Sequence, residues 1–283
     1  MAVLLARLRM PLIYLGMAAV AVDSYLWDLP RWPLLALLAV AFAIYLRLGT
    51  VRRPPVEVAL PVAGRWLAFN SPADRVPSHQ LHAYGQTYAI DLVHDPADGG
   101  RPGLAWWPPA RRPEDFPGFG RPVLAPADAT VVRAHDGERD HWSRTSPLAM
   151  LYVVLEGMVR ELLGPGRILG NHVVLDLGGG VYAALAHLRR GSVLVRPGDR
   201  VAAGQQLAAC GNSGNTTEPH LHFQLMDHPS VLLAAGLPLR FAHYQVAGAD
   251  RAGVPHNLQP FTAPGWPAPS RTGTAGGSRG RRR

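Results

Sequence analysis

Cysteine is almost absent. Cys210 is the single one in 283 residues, so no intrachain disulfide can form. That scarcity gives no sign of compartment, because exported proteins also lack disulfides. Cys210 precedes Gly211 in an apolar context with no feature to lower its pKa, and it reads as a small buried hydrophobe rather than a nucleophile. No His-Glu-x-x-His sequence is present, which excludes the helix-based zinc proteases. No small-residue cleavage site follows the apolar N-terminal runs, so a removed signal peptide is not expected. The net charge of +8 lies largely at the chain ends, with no basic helix or stacking aromatics beside it. Nucleic acid is therefore not an expected partner, and attraction to anionic surfaces accounts better for the charge.

What is abundant is hydrophobic residues (48%), with 30 Gly and 27 Pro, a composition that favours a turn-rich β protein with one sizeable core. In the run His220-Leu221-His222-Phe223-Gln224-Leu225, just after a glycine-rich turn, strand alternation points His220 and His222 the same way. Two converging imidazoles suit zinc, and a catalytic zinc usually takes about three protein groups and keeps one position open. Upstream, Tyr88 to Val93 reads as a strand carrying one acid, Asp91, which is costly to bury unless paired or bound to a metal. A third strand-like run, Val181 to Leu188, carries His187. His94, His135, His141, His172, His228, His243 and His256 match no motif position and read as ordinary loop or strand residues.

The succession from Arg196 to Phe223, a glycine turn, a hairpin, a second glycine turn and then His220-Leu221-His222, resembles the lysostaphin-type (LytM-type) zinc endopeptidases that cut the peptide part of peptidoglycan. Pro122 to Val132 and Gly236 to Tyr244 resemble further strands of that family, and the resemblance covers roughly Val62 to Val246. It implies a mainly β, antiparallel two-sheet core of the duplicated hybrid motif type, holding one Zn²⁺. It further implies that Asp91 and His222 bind the metal while His187 and His220 stay off it and assist the reaction. Where the commonest family pattern has a His four residues before the Asp, this chain has Thr87. His82 is then the expected third ligand, on the longer-spaced variants of the motif, with His79 as a substitute. The implied function is hydrolysis of peptide bonds in stem peptides or cross-bridges. The alternative is an inactive relative that binds the wall or activates another hydrolase.

Residues 1–50 are expected to form a helical membrane anchor of one or two transmembrane helices, Met10 to Trp27 and Trp32 to Leu48, each just long enough for a bilayer core. This places the protein at the cell membrane with its domain outside, although Arg7, Arg9, Arg47, Arg52 and Arg53 favour cytoplasmic flanks. Residues 51–61 read as a stiff basic linker and 62–262 as the zinc peptidase domain, with 263–283 a disordered basic tail. Residues 136–170 are an insertion the family pattern does not need, and Leu148 to Leu163 reads as its helix, capped by Ser146, with Pro147 at the first position and Gly164-Pro165 as the stop. This helix and the Trp106-Trp107 loop are both expected to wall the cleft.

Overall fold

The computed structural model describes residues 2–26, 32–47, 51 and 53–265. Two helices open the chain, α1 (Ala2–Leu26) and α2 (Trp32–Arg47), followed by strands β1 (Val56–Val58), β2 (Gly64–Phe69) and β3 (Ile90–His94). Next come β4 (Pro122–Leu124), β5 (Ala129–His135), the helices α3 (Pro147–Leu162) and α4 (Pro165–Leu169), then β6 (Asn171–Asp176) and β7 (Tyr182–Leu188). The remaining strands are β8 (Arg200–Val201), β9 (Gln206–Ala209), β10 (Leu221–Met226), β11 (Gly236–Leu237), β12 (Leu239–Val246), β13 (Ala249–Gly253) and β14 (Pro260–Ala263).

The fold is mainly β, as composition indicated. Among the described residues one twelve-stranded sheet runs β1-β12-β14-β2-β3-β10-β7-β6-β5-β8, with β11 on β10 and β13 on β12, and β4 pairs β9 separately. The expected all-antiparallel core needs one correction: β1 runs parallel to β12, so the large sheet is mixed. The chain leaves β1 and meets β12 only after most of the sheet has been laid down, and that long crossover frees it from the antiparallel direction a tight hairpin imposes.

The central strands are buried on both faces. Leu221, Phe223 and Leu225 of β10 join Ile90 and Leu92 of β3, Ala183 and Leu185 of β7, and the fully buried Trp66 in the main core. Trp66 satisfies its indole N–H on the Ala63 carbonyl at 2.9 Å. Each such side chain contributes about 1.5–3 kcal/mol by leaving water. Alternation then sends Asp91, His222 and Gln224 to the opposite face, all of them buried.

The insertion carries two helices rather than one. In α3 the Ser146 hydroxyl accepts from Ala149 N and Pro147 sits at the start, as its sequence predicts. The N-terminal anchor is overturned. Among the described residues no helix is long and apolar enough to cross a membrane. α2 has 16 residues, about 24 Å at 1.5 Å per residue against a hydrocarbon core of about 30 Å. The uncharged stretch of α1 runs only from Met10 to Val22, between Arg9 and Asp23. Nor does α1 stand free, for Ile13 and Tyr14 lie on a cluster formed by Tyr84, Ala83, Met226 and Val231. The placement at a membrane that rested on these helices is withdrawn with them. In the expected linker Val56–Val58 is a strand, and Ala263 ends β14; the tail from residue 266 onward lies outside the described residues.

The glycine turn ahead of β10 fits by close backbone contact. Gly170 and Gly214 have φ of +64° and +80°, and a Cβ on Gly214 would lie 2.5 Å from Gly170 N. Gly214→Ala should therefore cost about 3 kcal/mol in urea unfolding, combining left-handed strain with overpacking, whereas Gly178→Ala should cost only the strain, about 1 kcal/mol. Gly178 has φ of +83° but nothing within 4 Å of its Cβ position. Equal losses would show that the close approach at Gly214 does not matter.

Candidate metal centre

Asp91 and His222 are direct cross-strand partners in the β3–β10 register. Their side chains leave the same face, and His222 Nδ1 lies 2.8 Å from Asp91 Oδ1. The loop between β2 and β3 brings His79 to the other carboxylate oxygen, with Nε2 at 3.0 Å from Oδ2. One ligand atom from each of the three residues falls within 4.8 Å of the other two. Asn70 Nδ2 donates to Asp91 Oδ2 at 2.7 Å and steadies the carboxylate.

A second layer of hydrogen bonds fixes which ring nitrogens face inward. Gln224 Nε2 donates to the Tyr84 carbonyl at 2.8 Å, which turns Gln224 Oε1 toward His222 Nε2 at 2.9 Å. His222 therefore carries its proton on Nε2 when neutral and presents Nδ1 as a lone pair. Ser78 Oγ donates to the Gln86 carbonyl at 3.3 Å and sits 3.1 Å from His79 Nδ1, so the same logic leaves His79 Nε2 as an acceptor. With both rings neutral, two lone pairs and a carboxylate thus face one point. Proton affinities agree in direction. Burial raises the Asp91 pKa, but the charges of His79 and His220 and hydrogen bonds from His222 and His79 hold it well below the usual carboxylate range. Burial lowers that of His222, and the hydrogen bond and charge of Asp91 more than reverse it. This donor set fits a divalent borderline cation such as zinc.

His187 and His220 adjoin the three. His187 Nδ1 donates to the Ser213 carbonyl at 2.9 Å and His220 Nδ1 to the Glu218 carbonyl at 2.8 Å, which leaves Nε2 as the acceptor of each neutral ring, that of His220 lying 3.7 Å from Asp91 Oδ1. Their centroids are 4.8 Å apart, and His187 is 5.8 Å from the His222 ring. Burial and the charges of His220 and His222 push the His187 pKa well down, which keeps it neutral. Regular alternation would have turned His187 into the core with Ala183 and Leu185. Instead the β6–β7 register slips, with Asn171 opposite Leu188 and His172 opposite Ala186, and His187 takes φ of +62°. This bulge returns Leu188 to the core and turns His187 to the cluster's face.

His82, the expected third ligand, is not in this group; its Nδ1 is 3.0 Å from Thr87 Oγ1. His79, the substitute, occupies the place, because the loop doubles back through Tyr84, a non-glycine residue at φ of +58°. Sequence reading missed Asn70, Ser78 and Gln224. Gln224 had a signal, since it stands two residues beyond His222 on the same strand face. Glu218, whose carbonyl orients His220, is clamped by Arg101 through two hydrogen bonds of 3.0 and 2.6 Å. The five residues line a cleft of about 430 Å³ that α3 and α4 also line through Val153, Gly157, Met158 and Ile168. Trp106 and Trp107, expected at the cleft, do not line it and stand in solvent, 74% and 82% exposed.

A carboxylate and four imidazoles thus meet in a β-sheet cleft, three of these five groups placed so that they could hold one metal ion. Residues 115–232 match the family model of Peptidase family M23. The match takes in His187, His220 and His222, while His79 and Asp91 precede it. The peptidoglycan DD-endopeptidase ShyA of Vibrio cholerae is 35% identical over 72 residues, which are 25% of this chain and 16% of that protein. The chain therefore spans only a small part of that relative's length. Among solved structures, the catalytic domain of lysostaphin from Staphylococcus simulans is 21% identical, covers 53% of this chain and 74% of its own, and has a TM-score of 0.30. A catalytic-domain mutant of the prophage-encoded M23 protein EnpA from Enterococcus faecalis is 17% identical over 53% of this chain and 73% of its own, at a TM-score of 0.31. TM-scores this low give the structural likenesses no bearing on function.

Two outcomes are expected. Because His187 holds a left-handed backbone, His187→Gly should be more stable than His187→Ala by about 1 kcal/mol, against the usual order of those residues in a strand. His172 is buried beside this bulge, and burial depresses its pKa to about 4. The unfolded chain then takes up the proton first, so stability is full above about pH 6.5 and falls between there and about 4. His172→Gln should remove about 2 to 3 kcal/mol of the wild-type loss between pH 7 and 4.5 in urea titrations. An unchanged loss would place the acid sensitivity elsewhere.

Proposed function

We propose that this chain is a zinc metalloendopeptidase that hydrolyses peptide bonds in peptidoglycan stem peptides or cross-bridges, with its peptidase domain at residues 62–262. The observation that carries the reading is the pair of inward ring nitrogens, His79 Nε2 and His222 Nδ1, set over Asp91 beside two imidazoles whose Nδ1 atoms are held by backbone carbonyls. His79, Asp91 and His222 would hold the ion, in place of the set with His82.

Zinc in such a site supplies Lewis acidity toward water and toward the scissile carbonyl. The chain's own part is to handle the protons. As a neutral base, His187 receives a proton of the attacking water at Nε2 while its Nδ1–H stays on the Ser213 carbonyl, which stabilises the resulting imidazolium. His220 has the same anchoring on Glu218 and stands one ring away, so the proton passes at Nε2 level to the departing amide nitrogen as the C–N bond breaks. Asp91 keeps its charge throughout, because the surrounding histidines hold its pKa down. The walls of α3 shut water from one side of the cleft, and that strengthens each of these polar contacts.

Metal content and turnover test the reading together. His79→Ala and Asp91→Asn should lose bound zinc, whereas His82→Ala should keep it. His220→Ala should keep zinc and lose about 100-fold in hydrolysis of purified wall. Gln224→Leu should weaken zinc by about 10- to 100-fold, since the His222 ring loses its orienting acceptor. Chelation should abolish turnover and added zinc restore it. A metal-free His82→Ala protein beside a zinc-replete His79→Ala protein would reverse the ligand assignment, and turnover insensitive to chelators would sink the metallopeptidase reading.

A further inference from the structure

One acidic side chain in the cleft has no role in the mechanism above. Apart from Asp91, Glu161 is the only carboxylate among the lining residues. It sits near the end of α3, within the segment that the family resemblance does not need. Five residues earlier, Glu156 is met by Arg144 and Arg160. Glu161 has no such partner: among the described residues no arginine or histidine pairs with it, although the chain as a whole carries a formal charge of +8.

Its position is nevertheless fixed. Tyr84, buried beneath it, donates its phenol O–H to Glu161 Oε1 at 3.0 Å. Tyr14 of α1 donates to the Glu161 backbone carbonyl at 3.2 Å and lies 3.3 Å from the Tyr84 hydroxyl. Tyr84 is in turn tied to the metal cluster, since its carbonyl accepts from Gln224, the residue that orients His222. One oxygen of Glu161 is thereby committed, and Oε2 has no hydrogen-bond partner among the described residues. A carboxylate held in place beside Val154, Met158 and Leu169 is only partly solvated, and that favours the arrival of an opposite charge.

We infer that Glu161, steadied by Tyr84, is a specificity residue that recognises a primary ammonium group on the peptide brought to the cleft. This rests on the reading of the chain as an endopeptidase. An ammonium has three donors and no acceptor, which matches a carboxylate oxygen in a cleft whose lining holds no lysine or arginine. The group could be a side-chain amine or a free amino terminus. Both have the same chemistry, and the experiment separates them.

Four peptides suffice: one with a free lysine side chain and an acetylated amino terminus, one with norleucine in place of that lysine, one with Nε-acetyl-lysine, and the norleucine peptide with its amino terminus free. Hydrolysis and calorimetric binding are measured on the zinc-loaded full chain and on Glu161→Gln. For the wild type, whichever peptide carries the recognised ammonium should exceed the uncharged ones by about 10- to 100-fold in kcat/KM and in affinity, the range for a hydrogen bond to a charged group. Glu161→Gln should bring that ratio close to one while turnover of the uncharged peptide stays as it was, which also reports that the variant folds. A wild type indifferent to the ammonium, or a Glu161→Gln protein that discriminates as the wild type does, overturns the inference. If no peptide is cleaved but binding discriminates through Glu161, the endopeptidase reading fails and the ammonium site stands. If neither cleavage nor discriminating binding is seen, the inference falls.

Discussion

The charge on Asp91 is the constraint to which the rest of the molecule answers. It lies on a strand whose other face is the main core, and it is buried. A carboxylate there is tolerable only with positive charge or several donors around it. Asn70 donates to it, and three histidine rings, which would share a cation with it, come within 3.7 Å from a loop, from the facing strand and from the turn before that strand. None of these groups is near another in sequence except His220 and His222. The sheet register that sets His222 opposite Asp91 is thus also what makes Asp91 affordable.

Around that pair the backbone departs from regularity at the points where a side chain has to be aimed. His187 reaches the cluster through a bulge, and His79 reaches it through a loop that turns back at Tyr84. The glycine turn ahead of β10 lies so close to the chain at Gly170 that neither Gly170 nor Gly214 has room for a Cβ. The same turn contributes the Ser213 carbonyl that holds His187. Conformational strain, close packing and imidazole orientation are here one arrangement, and each is stable because the others fix it.

The inserted helix alters what can reach the centre. Leu151, Leu155 and Leu162 on its outer side are more than half exposed, yet its inner edge closes one side of the cleft. Gly157 lets it approach Asn215 of the glycine turn, whose side chain would lie 3.2 Å from a Cβ there. Helix α1 closes over the same end through Tyr14. Helix α3 lines the cleft and α1 packs on the smaller apolar cluster beside it, so both bound that end of the site.

Much of this was legible along the chain. Alternation in Leu221 to Leu225 told the faces of β10 apart, and an acid in an apolar strand marked Asp91, because each signal depends on neighbours one or two residues away. Ser146 and Pro147 announced α3 for the same reason. His82 was the choice that the family resemblance implied beside Asp91, and a motif match could not see the turn at Tyr84 that brings His79 to Asp91 and leaves His82 on Thr87. The apolar N-terminal runs carried the hydropathy of membrane spans but not their helical length, and only the folded chain put Ile13 and Tyr14 on the β domain. What the sequence by itself determined was the β class, the strand faces, and Asp91, His187, His220 and His222 as residues to watch. Which loop histidine completes the cluster, and that His187 leaves the core face, was decided by tertiary structure, because both depend on register and on backbone paths closed by residues distant in the chain.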